Sequence, residues 1–350
     1  MKSNKCKLGD IITQRREKSN GEELPICGVT REGFIPPKQK DADTSLYNVF
    51  YKKDFVFNPA RMELNSIVYN DIYEKAMCSS LYEVFYVNRP DIVLPEFLAL
   101  IVKQNWFTRY CEFLGSGSAR EYCRVANISQ IEINYPSIEK QTKIVRECQI
   151  ITDRIALKRK INENLEEIAQ TLYQKLFVAN SKVSEWKKGC VGDVLQLQRG
   201  YDLPKTEMVG GKYPVAGSTG TIGYHNQYTA ESPVIVMGRS GNIGNPRLYL
   251  CNCWTHNTSL YVKQFFQAEP MWAYFMLKSI NYDSFVGGSA VPTLNRNDVH
   301  AYGIVIPPLE LQKIFSQKVL KLFFYRENNI SEIERLEKFR SIILSQLSNY

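Results

Sequence analysis

The residues whose types and spacing could do chemistry are few. Cys251-Asn-Cys253-Trp-Thr-His256 puts two thiols and an imidazole within a short stretch, and could in principle offer a soft metal three ligands. Structural zinc sites complete their shell from a separated second pair. None follows here, so no metal site is expected and the cysteines read as small buried hydrophobes. Gly238-Arg-Ser-Gly-Asn-Ile-Gly244 is glycine-rich but lacks the Lys-Ser/Thr ending of a phosphate loop, and reads as a turn. Asn58-Pro59-Ala60-Arg61 only begins like the Asn/Asp-Pro-Pro-aromatic tetrad of an amino-methyltransferase. His225, His256 and His300 have no nucleophile motif beside them. Independent catalysis is not expected of this chain.

What remains is a set of donors in or beside turn-rich segments: Lys38, Arg61, Arg120, Arg124, Lys205, Ser218, Thr219, Arg239, Asn242, Arg247 and Asn295. Arginine can hold guanine bidentately and asparagine can hold adenine, while Lys, Ser and Thr suit phosphates. Any one of them alone reads as ordinary surface. Together, with 44 Lys and Arg against 36 Asp and Glu and a net charge of +8, they suit a polyanion such as DNA.

The elements that must position these donors form a repeat. Leu8-Gly9-Asp10-Ile11-Ile12 corresponds to Val191-Gly192-Asp193-Val194-Leu195, a shift of 183 positions. Gly117-Ser118-Ala119 corresponds to Gly288-Ser289-Ala290, and Pro136, Ile138 and Gln141 to Pro307, Leu309 and Gln312, a shift of 171. Two modules therefore share their ends and differ in their middles. In each, a strand runs into proline and emerges as a long amphipathic helix, predicted from about Glu139 to Phe177 and from Leu309 onward.

The first stripe includes Ile144, Ile151, Ile155, Leu165, Ile168 and Leu172, and the second Leu322, Ile330, Ile333, Leu336, Ile343 and Leu347. Helices this long and narrow-striped pack on a partner helix, and the two are expected to pack on each other. Asn162, Asn164, Asn328 and Asn329 could fix their register. Leu157-Lys-Arg-Lys160 reads as a solvated face. The globular parts read as mixed β with short helices: strands in Asn48–Asn58, Ser66–Asn70 and Ser80–Val87, and one helix over Leu94–Leu114 whose counterpart starts at Pro270.

At 350 residues the chain has room for about two domains. The first ten residues lack an apolar core of a leader, no run of about 18 apolar residues follows, and nine cysteines form no paired framework. A cytoplasmic setting is expected.

The chain resembles the specificity subunit of a type I restriction-modification system. The residues that carry the resemblance are the two module starts, Gly115 to Ile144 in the first module, and Gly287 to Phe315 in the second, above all Ala290-Val-Pro-Thr-Leu294 followed by Ile306-Pro-Pro-Leu-Glu-Leu-Gln312. The first module departs from that pattern, with Arg120-Glu121-Tyr122 and a single proline, Pro136.

The resemblance implies a mixed α/β (α+β) fold of two target recognition domains, residues 1–138 and 186–308. Spacer helices, 139–180 and 309–350, would follow them and pack antiparallel as a coiled coil. The expected seam is Ile144, Ile151, Ile155, Leu165, Leu172, Leu322, Ile333, Leu336, Ile343 and Leu347. It further implies a non-catalytic subunit that reads bipartite double-stranded DNA, one half-site per domain, with the helices as a ruler. The donors above would be its DNA-binding residues. Expected partners are modification subunits, which bind S-adenosylmethionine and methylate adenine, and a restriction subunit that translocates and cleaves. No cofactor is expected in this chain. An enzyme of a defence system and a scaffold that no longer reads DNA remain open as other classes.

Overall fold

A computed structural model describes residues 4–37, 43–115, 122–285 and 293–347. It divides into two units, residues 1–156 with 333–350, and residues 157–332.

Each unit is closed at its base by one antiparallel strand pair. In the first, Asn4–Lys7 pairs with Glu132–Tyr135, Lys7 opposite Glu132. In the second, Lys187–Cys190 pairs with Gly303–Ile306, Cys190 opposite Gly303. The shifts of 183 and 171 found in the sequence are thus the same register drawn twice. The Leu/Val-Gly-Asp turn follows each first strand for identifiable reasons. Leu8 and Val191 are fully buried and donate their amides to Ile131 and Tyr302 carbonyls at 2.8 and 3.0 Å. A Cβ on Gly9 would lie 3.0 Å from the Ser129 carbonyl oxygen, and one on Gly192 3.3 Å from the His300 Cβ, so both copies leave no comfortable room for a side chain. Asp10 and Asp193 accept from the Lys7 and Cys190 amides at 3.2 and 2.8 Å, closing the turn. That bond holds the Asp193 carboxyl below its usual range.

Above the base, the first unit carries two four-stranded sheets. One orders Ile12–Arg15, Glu83–Val87, Phe55–Phe57 and Ile67–Tyr69, all antiparallel. The other orders Phe34–Ile35, Ile26–Val29, Lys75–Cys78 and Asn48–Tyr51. The second unit has a four-stranded antiparallel sheet of Leu195–Arg199, Ser259–Phe265, Val234–Gly238 and Gly244–Tyr249. A three-stranded sheet of Gly220–His225, Tyr213–Gly217 and Trp254–Thr255 completes it. The fold is the mixed α/β one the sequence implies.

The long helices span Ile138–Tyr173, continued by a wider turn Gln174–Val178, and Leu309–Gln346. Both are launched by one device. Gln141 and Gln312, buried, turn back to donate to the Pro136 and Pro307 carbonyls at 2.9 Å, and accept the amides of Leu94 and Glu269 at 2.9 and 3.0 Å. Those two residues immediately precede the helices Pro95–Val102 and Pro270–Lys278. One side chain per module therefore pins the proline exit to the start of a second helix.

Within the first unit Ile151, Ile155 and Ile333 form a buried cluster with Leu336 and Ile343 against it, while Ile144 and Leu347 join the domain core. Within the second, Leu172 and Leu322 pack beside Ala169, Tyr173, Phe177, Phe315, Val319 and Phe323. Contacts descend one helix as they climb the other, from Lys158 with Glu332 to Tyr173 with Phe315, so the helices run antiparallel. The predicted stripes need correction at Ile168 and Ile330, 49% and 38% exposed; the buried positions are Ala169 and Asn329 beside them. Leu165 is only partly buried.

Lys158 also corrects the solvated reading of its stretch: it turns inward to Glu332 at 2.7 Å and donates to Asn329 Oδ1 at 3.0 Å. Asn329, in turn, donates to Asn162 Oδ1 at 2.9 Å. Asn164 and Asn328 are exposed. The single helix predicted over Leu94–Leu114 is two, Pro95–Val102 and Asn105–Gly115. Three tertiary bonds favour the break: Asn65 Nδ2 donates to the Val102 carbonyl at 2.9 Å, and Lys103 Nζ leaves the helix to donate to the Arg31 and Ile67 carbonyls at 2.7 and 2.6 Å. No described helix is long and apolar enough to cross a membrane.

Candidate nucleic-acid interface

In the second unit, loops from both sheets meet at one place. The tips Gly217–Gly220 and Gly238–Gly244 are tied by Asn242 Nδ2 donating to the Ser218 carbonyl at 3.3 Å. A Cβ on Gly238 would fall 1.5 Å from the Asn242 carbonyl oxygen, so only glycine allows the second tip to fold back. Thr258 joins them, its hydroxyl accepting the Ser218 amide at 3.3 Å and its carbonyl the Arg239 amide at 2.9 Å. The segment carrying the resemblance docks here too: Leu294, buried, donates its amide to the Arg239 carbonyl at 2.8 Å, and Thr293 bridges to Ser240.

Two guanidiniums converge on this cluster. Arg239 and Arg199 both donate to the Asn257 carbonyl, at 3.3 and 3.4 Å. Burial, and then the neighbouring charge of Arg199, pull the Arg239 pKa below its usual value. Thr219 is exposed at the first tip. Arg247 lies under it, since a Cβ on Gly220 would come within 2.3 Å of the Arg247 Nη1.

Ser218, Thr219, Arg239, Asn242 and Arg247 are therefore brought together. Lys205 is exposed on a separate short turn, Lys205–Glu207. Asn295 uses its carbonyl to cap the helix Arg296–Ala301, accepting the Asn297 amide at 3.0 Å, so its side chain is engaged structurally. Sequence reasoning missed Arg199; its signal was its place at the end of an alternating strand, two residues before the exposed Tyr201.

In the first unit the candidates are dispersed. Arg61 is exposed on the short helix Pro59–Leu64. Arg124 is paired to Glu83 at 3.2 Å and lies over the Tyr122 ring. Arg15 also went unnoticed in the sequence. It forms a bidentate pair with buried Asp54 at 2.6 and 3.1 Å, sandwiched by Tyr51 and Tyr86, an arrangement that braces two strands. Lys38 and Arg120 lie outside the described residues.

The histidines are structural acceptors. His300 Nε2 accepts the Leu197 amide at 2.8 Å and His225 Nδ1 the Val209 amide at 3.2 Å, while His256 Nδ1 meets the Thr258 hydroxyl at 2.9 Å. Among the described residues no group of three or more His, Cys, Asp or Glu side chains could hold a metal.

Comparison with known proteins decides what this frame is. The family model of the type I restriction modification DNA specificity domain matches residues 4–167 and again 183–337. The chain belongs to this family. Among its type I specificity relatives, the MjaIX specificity subunit of Methanocaldococcus jannaschii is 25% identical over 73% of this chain and 69% of that protein. The HindI specificity subunit of Haemophilus influenzae is 31% identical over 37% of this chain and 29% of that protein. A crystal structure of a type I S subunit from M. genitalium shares the fold at a TM-score of 0.70, with 16% identity, covering 99% of this chain and 96% of that one. As a type I DNA specificity protein, the chain uses its two modules to select DNA.

Proposed function

We propose that each module reads one half of a bipartite DNA target, and that the chain seats modification and restriction subunits without doing chemistry itself. The observation that carries this reading is the pairing of one frame, repeated in register and hydrogen bonds, with two different sets of loops. In the second module those loops converge donors around Arg199, Arg239 and Asn242, where base edges and phosphates can be held together. S-adenosylmethionine belongs on the methyltransferase partner in this reading, and adenine is the base modified. The recognition domains are residues 1–138 and 186–308, and the helices between and after them set the gap between half-sites. The setting is the reducing cytoplasm, in keeping with nine cysteines that are all free.

Co-expression with the neighbouring methyltransferase in a methylation-free host, with modified adenines mapped by single-molecule sequencing, tests it. The expected result is one bipartite motif that disappears without this chain. An assembled complex that methylates nothing would favour a scaffold that does not read DNA. Repeating Leu165–Ile168 adds about one turn, roughly 5.4 Å, and the gap should change by about one or two base pairs. An unchanged gap in an active complex removes the ruler.

A further inference from the structure

The first unit holds a cavity of about 650 Å³ that the frame does not explain. Its walls are the turn carrying Thr30 and Arg31, the short helix carrying Arg61, and the helix Asn105–Gly115 with Thr108 and Arg109. Asn65 also lines it and is 4% exposed. Its backbone is left-handed, φ 53°, a conformation asparagine tolerates better than most residues. Its Nδ2 donates to the Val102 carbonyl at 2.9 Å and to the Thr108 hydroxyl at 2.6 Å. A carbonyl can only accept, so the amide cannot be flipped, and Oδ1 is left buried with no partner.

A buried carbonyl without a donor is costly, and a ligand N–H or O–H would recover that cost. Arg31, Arg61 and Arg109 line the same cavity, and their guanidiniums have no ion-pair or hydrogen-bond partner among the described residues. Lys103 fixes the turn that carries Arg31 by donating to the Arg31 carbonyl. The carboxylates Glu32, Glu63 and Glu112 share the wall, which suits a ligand bearing hydrogen-bond donors as well as negative charge. Among the described residues, Pro270–Lys278 in the second module is followed by the short turn Tyr282–Phe285, where the first module has the helix Asn105–Gly115 that walls this cavity.

We propose that this cavity binds a single nucleotide, its phosphate on the arginines and an amino group of its base donating to Asn65 Oδ1. The nucleotide is either free in solution or one residue of bound DNA turned out of its stack. The proposal does not depend on which sequence either module reads.

The full chain is titrated calorimetrically with adenosine 5′-monophosphate, its N6,N6-dimethyl analogue and inorganic phosphate. For a free nucleotide, saturable binding is expected for the first and at least tenfold weaker binding for the other two. Arg109→Ala and Arg31→Ala, both exposed and unpaired, should weaken it at least fivefold at an unchanged melting temperature, while Arg239→Ala in the other unit should not. For a nucleotide within DNA, a duplex of the mapped target with 2-aminopurine at successive positions should brighten at one position on binding, and Arg109→Ala should abolish the signal. Equal affinity for phosphate and nucleotide, or the absence of both the calorimetric and the fluorescence response, overturns the site.

Discussion

Replacing Gln141 by methionine removes its three hydrogen bonds at once, all at 2.9 Å: to the Ile92 and Pro136 carbonyls and from the Leu94 amide. Methionine is close in volume, so the loss is chiefly that of polar groups left unpaired beside the proline exit. Each such group costs about 1–3 kcal/mol, and the partial access of water to Ile92 and Leu94 puts the total near the lower bound, about 4 kcal/mol. Gln312 makes the same set, but its bond to the Gln267 carbonyl is 3.5 Å, at the limit of significance. Gln312→Met should therefore cost about 3 kcal/mol, roughly one hydrogen bond less.

Against a typical domain stability of about 5–15 kcal/mol, both losses are large. Urea unfolding read by hydrogen exchange, peptide by peptide, reports each unit separately, and each variant should destabilise mainly its own. Gln141→Glu should be worse than Met, since it sets a carboxylate against two carbonyl oxygens. A loss below about 1 kcal/mol in both Met variants would refute the claim that this glutamine is what fixes the launch of the helix.

Acid should loosen the second unit through His300. Burial, then Arg296, hold its pKa below 6.5, and its neutral Nε2 is needed as an acceptor. Its contribution is therefore complete above about pH 6.5 and is lost as pH falls through the lower folded value; His300→Gln, which keeps an acceptor, should flatten the melting temperature between pH 7 and 5. Lys158→Met should cost about 2 kcal/mol in urea unfolding, since it takes the donor from the buried Asn329 Oδ1 and removes the ion pair to Glu332 in a sheltered seam, whereas Lys52→Met on the exposed Glu74 pair should cost under about 0.5 kcal/mol. Arg239→Ala and Asn242→Ala should relax one half-site only, by about 1–3 kcal/mol of discrimination in binding to single-substituted duplexes. Uniform weakening over all sequences would make them phosphate holders instead.

The frame was legible because it is written in residues with few conformational substitutes. Proline, the glycine that must pass close to another turn, and the glutamine that bridges two helix starts recur at fixed shifts, and each constrains backbone directly. The helix break at Lys103 was not legible, because the group that takes the Val102 carbonyl is Asn65, far away in the chain. Periodicity placed both long helices almost to the residue but admitted Ile168 and Ile330, since an apolar stripe does not say where a narrow seam ends. It also missed that Lys158 is sheltered, because a long polar side chain can bury its stem and still reach a carboxylate. Composition could nominate Arg239 and Asn242, but their meeting depends on two hairpin tips brought together by non-local sheet pairing.

The strand pairs at the base of each unit have a consequence for inheritance. Because Asn4–Lys7 lies against Glu132–Tyr135, and Lys187–Cys190 against Gly303–Ile306, the chain enters and leaves each module through neighbouring strands. Everything between is, to the rest of the molecule, a long insertion with adjacent ends, the arrangement that tolerates wholesale exchange. Genetic crossovers falling in the repeated stretches around each pair would replace all the loops between them and leave the register, the glutamine bridge and the helix launch unaltered. A new specificity can thus arise by cassette exchange in one event, with no intermediate whose frame fails to close.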